Sequence, residues 1–298
     1  ATSGDTGGAV ANGFLGVKGV KVVILYPSGK VSDIQEKQLT TLGQNIEALE
    51  VDGTFDDCQN MVKKAFLDTE ITNVKKLTSA NSINVARWLP QLFYFLFAYK
   101  VSKSKGKDIV FSIPSGNFGN ICAGMVAQQL GMPVKHFIAA TNCNDTVPNF
   151  MHSGNYEPKP STATISNAMD VGDPSNFVRI RKLYQNNFEV LKQNLSAFAF
   201  DDATTKKAML EIYKQSDYIT DPHGAVGYLG LKKYLQNKPE TYGIFLETAH
   251  PVKFLDVVKD ALGIHPEIPK QIQAIMHKKK KSHRIATYEH LKSFLLKK

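Results

Sequence analysis

Four short stretches of this sequence combine small, hydroxyl and amide residues in the spacing that suits an anionic ligand. The first is Ser3-Gly4-Asp5-Thr6-Gly7, which opens a helical run. Small residues let a backbone approach a ligand closely, and the free N–H groups of a first helical turn favour an anion. A carboxylate or a phosphate would satisfy it, and so would an ordinary helix start capped by Asp5 or Thr6. The second is Pro114-Ser115-Gly116-Asn117-Phe118-Gly119-Asn120, directly after the apolar run IVFSI and before another helical run. A strand, a glycine-containing turn and a helix in that order cradle a phosphate with backbone donors. No GK[ST] closes the turn and no GxGxxG is present, so it is neither a Walker loop nor a dinucleotide fingerprint. A strained turn that needs glycine for its own backbone is the plain alternative.

The third stretch is Glu247-Thr248-Ala249-His250-Pro251, just past the run GIFL. A hydroxyl at the carboxyl end of a strand is placed to meet a heterocycle nitrogen. His250 reads as a turn histidine rather than a base. The fourth is Ser79 to Arg87, SANSINVAR, in which Asn81, Ser82 and Asn84 precede Arg87. It offers an oxyanion clamp with a guanidinium fork, or equally a capped helix start with a surface arginine. HExxH, GxSxG, calcium-loop patterns and paired His/Cys clusters are absent, so the sequence offers no metal ligands and no serine nucleophile.

Elements that would position these stretches alternate along the chain. KVVILY (21–26), IEALEV (46–51), IVFSI (109–113), VKHFIAA (134–140) and GIFLE (243–247) read as strands. Residues 33–42, 55–67, 83–101, 119–130 and 253–262 read as helical. That alternation predicts right-handed βαβ units and mostly parallel sheets. The polar connector SKSKGKD (102–108) suggests a boundary. Residues 1–103 are expected to form a smaller α/β domain, 104–270 a larger one, and 271–298 a basic tail. The helical run after Thr6 calls for a strand before it. The sequence is therefore expected to be the C-terminal part of a longer chain, with an unpaired sheet edge that favours self-association.

Composition narrows the function classes. The 298 residues carry 36 Lys and Arg against 27 Asp and Glu. Of the resulting +9, a net +7 lies in residues 271–298, so the charge belongs to the tail. A KKKK run without interleaved aromatics reads as a solvated face or frayed terminus, not a nucleic-acid site. The longest apolar run, Leu92 to Ala98, is too short to span a bilayer. Three scattered cysteines fit a reducing, cytoplasmic setting.

Eight motifs in order resemble one family. ATSGDTG, LYPSGKVSDIQEKQLTTLG, SANSINVAR, PSGNFGN, AATNCNDTVP, SNAMDVGDPSN, DPHGAVGY and TAHPVKF look like threonine synthase, a pyridoxal-phosphate enzyme of fold type II, from residue 1 to about residue 265. The resemblance implies two α/β domains with the active site in the cleft between them. It implies that Gly116, Asn117, Phe118 and Asn120 hold the cofactor phosphate and that Thr248 faces the pyridine nitrogen. Ser3, Asp5 and Thr6 would grip the amino-acid carboxylate, and Asn81, Ser82 and Arg87 the substrate phosphate. The implied reaction is that of a phosphate-eliminating carbon–oxygen lyase in threonine biosynthesis, taking O-phospho-L-homoserine and water to L-threonine and phosphate.

One departure matters. The family's cofactor-linking lysine sits in a Phe-Lys-Asp motif upstream of ATSGDTG, and these 298 residues contain no such motif. No catalytic residue is therefore assigned, and the chain alone is expected to be inactive. Two other readings share these loops. One is a phospho-lyase releasing a keto acid from the same substrate; the other is a non-catalytic fragment that keeps the fold.

Overall fold

The computed structural model describes all residues except Ser3, Ile83 and Lys298. Contacts divide the chain into two units, Ala1–Asn81 with Glu267–Lys298, and Ser82–Pro266. Every strand pairing is parallel, as the βαβ alternation predicts.

The first unit holds a three-stranded sheet in the order β1-β2-β7, with β1 at Val22–Pro27, β2 at Ile46–Val51 and β7 at His283–Ile285. Val22 pairs with Ile46 and Pro27 with Val51, so the register runs the full length of both strands. Helix Asp33–Thr40 starts at a capping box: Ser32 accepts from the Gln35 N–H, and Gln35 Oε1 accepts from the Ser32 N–H at 2.9 Å. Gly13, exposed near the end of the helix Asp5–Phe14, has nothing within 4 Å of where a Cβ would stand. Gly13→Ala is therefore expected to stabilise this unit by about 0.5–1 kcal/mol, read as a higher denaturant midpoint at unchanged slope.

The basic tail is not frayed. Residues 283–285 add β7 to the sheet, and the helix Tyr288–Leu296 buries Leu291 with Leu49, Val51 and Cys58. Three of its cations are paired within the unit: Lys280 with Asp33 and Glu36 at 2.7 and 2.6 Å, Arg284 with Asp52 at 2.7 Å, and Lys292 with Asp68 at 2.9 Å. A three-residue strand behind four lysines leaves no readable alternation, which hides it in the sequence. The contacts also move the boundary from residues 103/104 to 81/82. Helix Leu92–Ser102 stays with the second unit because Phe95 packs edge-on against Phe111 and Phe137, with centroids 5.2 and 6.2 Å apart.

The second unit holds a four-stranded sheet in the order β5-β4-β3-β6. Its strands are β3 at Asp108–Pro114, β4 at His136–Thr141, β5 at Leu195–Ala199 and β6 at Thr241–Phe245. The central strands β3 and β4 are buried on both faces, which explains their unbroken apolar reading. Helix Gly119–Gln129 lies against them, and a Cβ at Gly124 would stand 2.6 Å from the Phe95 ring. On the other side, helix Pro222–Leu235 comes close through Gly227 and Gly230, and Ser112 Oγ donates to the Gly227 carbonyl at 2.6 Å. These two helices bring their N-termini to the carboxyl ends of the strands, where open α/β sheets bind ligands. No helix among the described residues is long and apolar enough to cross a membrane.

Candidate functional site

The turn after β3 is built to present its backbone. Ser115 N–H donates to the Ala140 carbonyl at 2.8 Å and extends the β3–β4 pairing by one bond. Beyond it, the N–H groups of Gly116, Asn117, Phe118, Gly119 and Asn120 have no hydrogen-bond partner among the described residues. Phe118 stands at φ 61° in the left-handed region, which is unfavourable for a bulky residue, by about 1–3 kcal/mol. Its ring is buried and edge-on to Phe177 at 5.6 Å, and this packing holds the backbone there. Five consecutive donors at the end of a central strand and the start of a helix form an anion cradle.

The side chains of this turn face inward rather than toward a ligand. Asn117 Nδ2 donates to Ser82 Oγ at 2.8 Å, and Asn117 Oδ1 accepts from the Ser175 N–H at 2.7 Å. Asn120 Nδ2 donates to the Pro114 carbonyl and its Oδ1 accepts from Ile121 N–H, both at 2.9 Å. Both asparagines thus fix the turn and leave their backbone N–H groups available. Ser82 sits beside the cradle through Asn117. Arg179, which sequence reasoning missed, donates to the Ser82 carbonyl at 3.3 Å and to Asn176 Oδ1. It brings a guanidinium to the underside of the turn. Arg87 is half-buried and has no ion pair or side-chain hydrogen bond among the described residues.

Thr248 lies three residues past β6 and is exposed. His250 Nδ1 accepts from the Val252 N–H at 3.1 Å, so it caps a short helical turn, as its sequence context suggests. The neighbour of Thr248 is more informative. Glu247 accepts a 2.6 Å bond from Thr220 Oγ1, and its carboxyl fills the space over Gly224, where a Cβ would stand 2.1 Å from Oε1. Burial raises the Glu247 carboxyl to about 8, and the Asp221 carboxylate adds to the rise against the Thr220 bond. Burial alone would raise Asp221 too, but its bonds to His223, with help from Glu247, hold it below the usual range. Glu247 therefore keeps the proton of the pair. Asp221 Oδ2 is buried with no hydrogen-bond partner among the described residues.

In the first unit, helix Asp5–Phe14 is not capped by Asp5 or Thr6. Thr2 Oγ1 accepts from the N–H groups of Gly4 and Gly7 at 3.0 and 2.9 Å instead. A threonine two residues before a φ 135° glycine reaches back over the turn, a geometry invisible in the spacing. Asp5 accepts from Gln35 Nε2 at 3.2 Å. Asn81 Nδ2 donates to the Ala1 carbonyl at 2.6 Å. Thr6 lies in the first turn, half-buried. Ser3 lies outside the described residues.

Comparison with known proteins decides the family. A family model described as "Pyridoxal-phosphate dependent enzyme" matches residues 1–243, and one described as "Threonine synthase, C-terminal" matches residues 224–295. The crystal structure of threonine synthase from Escherichia coli superposes with a TM-score of 0.94 at 46% identity, over 99% of this chain and 68% of that one. The chain belongs to the threonine synthase family of pyridoxal-phosphate dependent enzymes. The curated threonine synthase of Escherichia coli strain K12 is 50% identical over 273 residues, 91% of this chain and 63% of that protein. A pyridoxal-phosphate-bound threonine synthase from Brucella melitensis matches at 32% identity and TM-score 0.85, over 99% of this chain and 68% of that one. The chain thus spans between 63% and 68% of the length of these threonine synthases.

Membership of the threonine synthase family gives the cradle a ligand to be tested against. The dianionic phosphate of pyridoxal phosphate needs several donors and a close backbone approach. Five N–H groups without a partner among the described residues supply the first, and Gly116 and Gly119, with no room for a Cβ against Ala168–Met169 and Ser82, keep the turn close-packed behind them. The residues present fit the group. The motifs assign no role to Arg179, Asp221, His223 or Glu247. Three of them sit inside or beside stretches matching the threonine synthase pattern, DPHGAVGY and TAHPVKF. For Asp221 and His223 the signal was a titratable type at the start of a glycine-dense helix.

Proposed function

We propose that this chain carries the cofactor-phosphate cradle and the substrate-phosphate pocket of a threonine synthase, the enzyme that takes O-phospho-L-homoserine and water to L-threonine and phosphate. The observation that carries the reading is the run of five N–H donors at Gly116–Asn120 that have no partner among the described residues. Pyridoxal phosphate, when bound, supplies an electron sink for the charge that develops at the amino-acid α-carbon. The N–H groups of Gly116, Asn117, Phe118 and Asn120 bind its phosphate. Thr248 offers its ring nitrogen a hydroxyl, which leaves that nitrogen unprotonated where a carboxylate would protonate it. Arg87, with Asn81 and Ser82, takes the substrate's phosphate. A cationic fork there stabilises the dianion as it leaves. Ser3, Asp5 and Thr6 take the amino-acid carboxylate. Free thiols at Cys58, Cys122 and Cys143 fit a reducing cytoplasm.

No side chain of this chain is assigned as the α-proton base, because the Phe-Lys-Asp motif is absent from its 298 residues. The test separates binding from turnover. Equilibrium dialysis of the chain with pyridoxal phosphate should give saturable binding that competes with inorganic phosphate. Borohydride reduction followed by peptide mapping should label no unique lysine, and O-phospho-L-homoserine should release no phosphate. Binding that phosphate leaves untouched would sink the cradle reading. A uniquely labelled lysine with turnover would show that another residue has taken the lysine's role.

A further inference from the structure

Asp221 and His223 are both buried, at 0% and 2% exposure, and neither belongs to the cofactor or substrate contacts proposed above. Their hydrogen bonds run in one direction. The Ala168 N–H donates to His223 Nε2 at 3.2 Å, so that nitrogen carries the lone pair. The proton is therefore on Nδ1, which donates to Asp221 Oδ1 at 2.6 Å. Asp221 also caps helix Pro222–Leu235 by accepting from the His223 N–H at 2.8 Å. The imidazole is locked in one tautomer and one orientation, with its ring against Phe254 at 4.9 Å.

What the locked imidazole holds is the backbone above the anion cradle. A Cβ built on Gly116 would stand 2.8 Å from the Ala168 carbonyl oxygen and 2.8 Å from Met169 Cα. Residues 168–169 therefore pack directly against Gly116, the first residue of the cradle. The rest of this roof is tied elsewhere: Asp170 accepts from Thr164 Oγ1 and from Asn142 Nδ2, and Asp202 from the Ile165 N–H. Met169 is held through its own N–H, which donates to the Ser166 carbonyl at 2.9 Å, and His223 takes the N–H of Ala168, whose carbonyl touches Gly116.

We propose that His223, oriented by Asp221, is a positioning residue for phosphate recognition: it fixes the Ala168 amide, and through it the spacing between the Ala168–Met169 backbone and the Gly116 end of the cradle. A cradle of rigid N–H groups discriminates a phosphate only while its geometry is fixed to a fraction of an ångström. Loss of the Nε2 acceptor removes the 3.2 Å bond between His223 and the Ala168 N–H and loosens the roof at that point. The inference rests on the cradle reading of Gly116–Asn120.

The test compares pyridoxal phosphate with pyridoxal, which lacks only the phosphate, on the full 298-residue chain. His223→Asn keeps a donor toward Asp221 and cannot reach Ala168, whereas His223→Gln reaches it. His223→Asn should lower affinity for pyridoxal phosphate by about tenfold or more and leave pyridoxal unchanged, and His223→Gln should recover most of the loss. Equal weakening of both ligands, or no change in their ratio, would overturn the role. Absence of any preference in the unsubstituted chain would remove the cradle reading first and the positioning role with it. A substitution-free measurement covers a variant that folds poorly. In native-state hydrogen exchange the Ala168 amide of the unsubstituted chain should exchange much more slowly than that of Ala249 in the loop after β6. Equal rates would overturn the proposal.

Discussion

Gly116→Ala is expected to weaken pyridoxal phosphate binding by roughly 5- to 150-fold, corresponding to about 1–3 kcal/mol of overpacking. The reason is the identity of the neighbours. The added methyl would stand 2.8 Å from the Ala168 carbonyl oxygen and from Met169 Cα, both backbone atoms, which have no rotamer to escape into. Either the turn or its roof must shift, and a shift on either side moves the N–H donors off the phosphate. Gly224→Ala makes a shorter contact, 2.1 Å, but with the end of the Glu247 side chain, which has rotamers to move into. Parallel titrations of Gly116→Ala and the unsubstituted chain check the expectation. An unchanged Kd would mean that the turn does not contact the phosphate.

The second large effect is on pH dependence. Glu247 titrates at about 8 in the fold against an ordinary value of 4.5, because burial, and then the Asp221 carboxylate, penalise its charged form. Between those two values the folded chain holds a proton that the unfolded chain has released. Stability from this group is complete below pH 4.5 and is lost as pH rises through about 8. Thr220 and Asp221 face the carboxyl directly, His223 acts on it through Asp221, and Tyr218 feels its charge. Glu247 as a residue is still exposed, so solvent screens part of the effect. Asp170, raised to about 6 by burial, adds a slope of the same sign over a lower window. Glu247→Gln keeps the shape and removes only the first contribution. Denaturant unfolding at pH 5 and pH 8.5 should show the unsubstituted chain losing stability relative to Glu247→Gln. Parallel behaviour of the two would mean that Glu247 is ionised throughout.

Legibility in the sequence followed from how locally each feature is encoded. The strands Val22–Pro27, Ile46–Val51 and Asp108–Pro114 were readable because each is an apolar or alternating run bounded by turn residues. The cradle was readable because its chemistry lies in consecutive residues. The tail was misread because β7 spans three residues whose partner, β2, lies more than 200 positions away. The first helix was assigned the wrong cap because Thr2 acts through a backward turn at Gly4 rather than from the cap position. The backbone reading of the turn left the asparagine side chains without a role; in the fold the amides of Asn117 and Asn120 brace the turn.

By itself the sequence determined the parallel α/β architecture, the family pattern and the turn that can hold a phosphate. Each of these depends on residues adjacent along the chain or on a short repeating period. Only the tertiary structure decided that Asp221, His223 and Glu247 form one cluster, that Arg179 lies under the Asn117–Ser82 contact, and that residues 168–169 pack against Gly116. Those groups come from segments far apart in sequence: the turn Asn167–Met169, the helix Phe177–Leu183, the start of the helix Pro222–Leu235 and the segment after β6. Parallel pairing gathers the loops at one end of the sheet, and nothing in local spacing records which of them meet.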